Sequence, residues 1–148
     1  MRILPNPRRL LAALFAFAAT AVVSAQSLGS GATIWGYLTT DMAASVTQGW
    51  RETPTASSVS GRPISIAGQR YEKGLGTHAP GEMVFKLGRH HERFTAEVGV
   101  DDQGGKTGPV VFTVLLDGQE GFDSGLMRCG QPAKHIALAL MELRSKGK

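Results

Sequence analysis

Four side chains have the type and setting to do chemistry: Trp50, His78, Asp101 and Asp102. The two aspartates are adjacent and run into Gln103-Gly-Gly-Lys-Thr-Gly108. Calcium takes oxygen ligands, and a glycine-rich loop adds backbone carbonyls to carboxylates. The pair therefore predicts a calcium site or a contact to sugar hydroxyls, with a polar turn as the plain alternative. Adjacent residues at the end of a strand point in opposite directions. That suits poorly the acid and base of sugar hydrolysis, which face each other across a substrate. Trp50 follows Thr47-Gln-Gly. A loop tryptophan there either stacks on the apolar face of a sugar ring while polar neighbours bind hydroxyls, or seals the end of the domain. His78 lies in Lys73-Gly-Leu-Gly-Thr-His-Ala-Pro80. A neutral imidazole offers one donor and one acceptor, to a ligand or to the loop's own backbone. The chain has no G-x-S-x-G elbow, phosphate loop, H-E-x-x-H or paired C-x-x-C.

The elements that must hold these residues read as short strands between turns. Arg93 to Val100 alternates most clearly, with Phe94, Ala96, Val98 and Val100 on one face and Thr95 and Glu97 on the other. Pro109 to Leu116 is rich in Val, Leu and Phe and reads as a central strand. Asp117-Gly118 then signals a hairpin, because both turn positions tolerate positive φ, and Gln119 to Asp123 returns. Pro63 to Ala67 and Gln69 to Lys73 form a second hairpin about Ala67-Gly68. Glu82 to Leu87 and Thr33 to Leu38 are further strands. Ile136, Leu138 and Leu140 alternate, yet Ala137, Ala139, Met141, Glu142 and Leu143 equally favour a short helix. Many short strands with regular turns predict an all-β fold, an antiparallel β-sandwich. The 19 glycines support this. They are well above average usage of about 7% and show no collagen-like period.

The N-terminus differs in kind. Arg2, Arg8 and Arg9 precede an apolar run from Leu10 to Val23, and Val23-Ser24-Ala25 ends in small residues. This is the build of an export signal peptide over residues 1–25, and it predicts a secreted or periplasmic protein. The run is shorter than the roughly 20 residues that span a bilayer, so no stable membrane span is expected. A flexible leader over 26–32 and one domain over 33–148 follow. Three of the 16 basic residues lie in the leader, which leaves 13 against 12 acidic ones. So nearly balanced a domain lacks the basic stripe that nucleic-acid binding needs. Cys129 is the single cysteine, so no internal disulfide forms. Its thiol is expected to be buried or to pair between chains.

The stretch from Gln48 to Gly130 resembles the NPCBM family, the carbohydrate-binding module found beside glycosyl hydrolase family 98 catalytic domains. The matching pieces stand in order: Gly49-Trp50, "RPISIAGQRYEKGLGTHAP" from Arg62, "VFKLG" from Val84, "RFTAEVGVDD" from Arg93, "VVFTVLLDG" from Val110 and "DSG" from Asp123. The resemblance implies a galactose-binding-like sandwich, or jelly roll, that binds glycans and performs no chemistry. It further implies galactose-containing or related glycans as partners, a structural calcium, association with glycosidases, and a signature loop that includes His78. Family members continue into a closing strand bearing Asp, His and Trp. Here the sequence reads "MELRSKGK" at that point, so the sandwich is expected to lack its last strand. The function expected is an exported carbohydrate-binding module, not an enzyme. The competing expectation is a structural or protein-interaction sandwich that binds no sugar.

Overall fold

The computed structural model describes residues 8–15, 18–26, 33–48, 62–87, 91–104 and 108–140. Among these the elements are eleven strands and two single 3-10 turns, Thr40–Met42 and Asp102–Gly104. The strands are β1 (Arg8–Phe15), β2 (Ala18–Gln26), β3 (Thr33–Tyr37), β4 (Ala43–Gln48), β5 (Ile64–Ile66), β6 (Gln69–Tyr71), β7 (Gly81–Leu87), β8 (Arg93–Gly99), β9 (Val111–Leu116), β10 (Gln119–Asp123) and β11 (Lys134–Ala139). One sheet has the order β10-β9-β1-β7-β4 and the other β11-β8-β2-β3, while β5 and β6 form a separate hairpin. Every strand pairing is antiparallel.

Side-chain alternation explains how the two sheets close on each other. Met83, Phe85 and Leu87 of β7 and Phe112, Val114 and Leu116 of β9 are buried in the five-stranded sheet. Phe94, Ala96 and Val98 of β8 and Ile136 of β11 are buried in the other, and all belong to one core cluster. Two inner faces sharing one core make an antiparallel β-sandwich. Ile64 and Ile66 form a smaller core with Tyr71 and Ala133 packed against it. Both expected hairpins form. Ala67 and Gly68 have φ of 48° and 81°, and Asp117 and Gly118 have 51° and 84°. Paired positive φ values match the right-handed twist of the flanking strands.

The helical alternative for the last run is not realised, because β11 pairs with β8 from Lys134↔Val98 to Ala139↔Arg93. Ladder bonds and burial of Ile136 outweigh alanine's helix preference, which is a weak local term. At the N-terminus, residues that composition sets apart as a leader stand inside both sheets. β1 lies between β7 and β9, and β2 between β8 and β3. A leader's apolar run and a doubly flanked strand have the same composition, so composition alone does not separate them. Gln26, expected to begin a flexible segment, is the last residue of β2 and stands opposite Thr33.

Candidate functional site

The outer face of the four-stranded sheet carries the polar residues that alternate with its core. Thr95 and Glu97 of β8 are half-buried there, beside the exposed His135 of β11. Glu97 and His135 are register partners, so their side chains leave the sheet side by side. Tyr37, at the end of β3, joins the same row through Val22, which stands opposite both Tyr37 and Thr95. The β5-β6 hairpin closes the space from one side. The result is a groove of about 600 Å3 lined by Tyr37, Arg70, Tyr71, Lys73, Glu97 and His135 among others.

Glu97 is the hub. Its Oε2 accepts a hydrogen bond from the Tyr71 hydroxyl at 2.8 Å, and its Oε1 lies 3.7 Å from His135 Nδ1. Burial, reinforced by the hydrogen bond to Glu97 and by its charge, pushes the Tyr71 phenol up to about 12. Tyr71 is therefore a firm donor at neutral pH. Tyr37 is 44% exposed, and the Lys73 ammonium sits 4.1 Å from its ring centroid. A cation over an aromatic face is a favourable contact that also holds the ring in place. An exposed ring, a carboxylate, a phenol and flanking cations in a cavity of this size are what a small polar ligand with one apolar face requires.

Of the residues singled out in the sequence, His78, Asp101 and Asp102 do not line this groove. Trp50 is outside the described residues. His78 is half-buried, and the loop before it is packed by Leu75 and Thr77, at 4% and 0% exposure. Thr77 Oγ1 donates to the His78 carbonyl at 3.5 Å. His78 is not among the residues that line the groove.

Asp101 and Asp102 diverge as adjacent residues at a strand end must. Asp102 accepts from Ser65 Oγ at 2.6 Å, Ala67 N–H at 2.9 Å and Gly68 N–H at 2.8 Å. Partial burial works against its charge, but the bonds from Ser65, Gly68 and Ala67 outweigh it and hold its carboxyl below the usual range. Asp101 is 2% exposed. Its Oδ1 accepts from Gln103 N–H at 2.8 Å, and its Oδ2 has no hydrogen-bond partner among the described residues. Burial pushes its carboxyl up. The Gln103 amide opposes this, and the charge of Asp102 adds to it.

The donors around Asp102 turn their positive ends toward its carboxylate, and no group of three or more His, Cys, Asp or Glu side chains converges among the described residues. Asp102 ties the β5-β6 turn to the end of β8, which positions Arg70 and Tyr71 over the groove. Cys129 is half-buried against the main core, with its Sγ 3.8 Å from the Asp101 carbonyl.

Sequence reasoning missed Tyr37, Tyr71 and His135 as groove residues. The one signal present was Glu97 on the polar face of an alternating strand.

The described residues thus form a β-sandwich with a polar groove on an outer sheet face. The family model of the NPCBM/NEW2 domain matches residues 36–145. The chain belongs to this family of carbohydrate-binding modules. It is 38% identical over 80 residues to a protein of Renibacterium salmoninarum that carries the name of an endo-alpha-N-acetylgalactosaminidase. It is 31% identical over 93 residues to an alpha-1,3-galactosidase B of Akkermansia muciniphila. The matches cover 54% and 62% of this chain but only 5% and 12% of those proteins. The likeness is thus to one module of each enzyme. No solved structure matches the chain.

Proposed function

We propose that this chain binds a galactose-type glycan in the groove between β3, β6, β8 and β11, without transforming it, and serves alongside glycosidases. The observation that carries this reading is the exposed Tyr37 ring beside the Glu97 carboxylate, which Tyr71 and His135 both approach. An aromatic face takes the apolar side of a pyranose, and Glu97, Arg70 and Lys73 bond its hydroxyls. The names of the two relatives, a galactosidase and an N-acetylgalactosaminidase, support the choice of sugar.

The test is retention on galactoside and N-acetylgalactosaminide affinity gels, followed by calorimetric titration. Tyr37→Ala and Glu97→Gln are expected each to weaken binding about tenfold or more, which corresponds to about 1.4 kcal/mol. Circular dichroism should show an unchanged fold. Binding untouched by both substitutions would move the site elsewhere on the module. No retention of any glycan by the folded chain would favour a protein-interaction role.

A further inference from the structure

The two strands outside the family's span fill internal lanes of both sheets. The family match begins at residue 36, so β1 and β2 lie wholly before it. Yet β7 and β9, the strongest walls of the core, do not pair with each other. Each pairs with β1. Adjacent strands lie about 4.8 Å apart, so without β1 the two walls would face each other across roughly 10 Å with a row of unpaired N–H and C=O groups on each side.

The register fits the lane closely. Leu10 stands opposite Phe85 and Leu116, Ala12 opposite Met83 and Val114, and Leu14 opposite Gly81 and Phe112. All six partners are buried. The alternate positions Leu11 and Ala13 stand opposite Val84, Glu82, Leu115 and Thr113, which are only partly buried. In the second sheet Ala19, Ala21 and Val23 stand opposite the buried Val98, Ala96 and Phe94. β3, which carries Tyr37, has β2 as its only neighbour among the described strands.

We infer that the lane between β7 and β9 is a strand-acceptor slot and that its occupant is this chain's own segment 8–15, with 18–26 filling the matching lane beside β8. The segment built like an export leader then stays with the folded module, because taking it away strips a central strand from one sheet and unseats β3 in the other. This inference does not rest on the glycan reading.

The test uses the full chain. In hydrogen exchange, the amides of 8–15 are expected to be protected at least about a hundredfold over an unstructured peptide, as core strands are. A protease site placed within residues 27–32 then allows the folded chain to be nicked. The fragment containing 8–26 is expected to co-elute with the remainder on gel filtration under native conditions and to be released only on unfolding. Ala12→Pro, which removes a ladder donor in a doubly paired strand, should abolish the cooperative transition or lower its midpoint. Two results would overturn the inference: exchange at 8–15 as fast as in a free peptide, or a nicked fragment that leaves while the remainder keeps the full chain's unfolding midpoint.

Discussion

Replacing Asp102 with alanine removes one acceptor from three donors at once. A hydrogen bond to a charged group contributes about 1.5–3 kcal/mol when protected, and a typical one about 0.5–1.5. Ala67 and Gly68 are exposed, so water takes over their N–H groups and each bond counts at the low end. The Ser65 bond is partly buried at 2.6 Å and counts more. Loss of the Asp102 charge also relieves Asp101, whose carboxyl burial pushes up and its neighbour pushes further. The net expected loss is about 2 kcal/mol, read from urea unfolding at pH 7 by linear extrapolation.

The pH dependence has a definite sign. The folded state holds the Asp102 carboxyl below its ordinary value. Its stabilisation is therefore present above about pH 3.9, the unfolded value, and is lost as pH falls through the lower folded value. The gap between wild type and Asp102→Ala should close in that acid window. A chelator should leave wild type unchanged if Asp102 is a turn clamp. A loss under about 0.5 kcal/mol at pH 7 would refute the reasoning, since it is no more than an ordinary surface substitution shows. So would a chelator effect on wild type equal to the substitution.

Phe112 is fully buried in the main core, and Phe112→Ala should cost about 3–5 kcal/mol in the same assay. At Gly99 an added Cβ would meet Ile66 Cγ2 at 2.5 Å. Gly99→Ala should thus cost about 1–3 kcal/mol by overpacking, and pairing it with Ile66→Ala should give a clearly non-additive loss in a double-mutant cycle. Tyrosine absorbance titration should show one phenol ionising near pH 12 that vanishes in Tyr71→Phe. In Glu97→Gln that phenol should titrate earlier without returning fully to the ordinary value, since burial is the larger cause.

Period-two alternation in β8 and the turns at Ala67-Gly68 and Asp117-Gly118 were legible because each is set by neighbouring residues alone. A strand's faces follow from its pleat, and a tight turn follows from which residues accept positive φ. The opposite directions of Asp101 and Asp102 were legible for the same reason, while their different partners were not. Asp102 meets Ser65, Ala67 and Gly68, more than thirty positions earlier.

The groove depends wholly on such distant meetings. Tyr37, Tyr71, Glu97 and His135 come from β3, β6, β8 and β11, and no local pattern links them. They converge because strand register sets Glu97 beside His135 and the small hairpin carries Tyr71 across to them. The N-terminal segment makes the same point. An apolar run from Leu10 to Val23 was plain in the sequence, and that composition serves a leader or a pair of internal strands equally. In the structure that run pairs with β7, β8 and β9, and such pairing is invisible in composition because it depends on backbone groups of strands far away in the sequence.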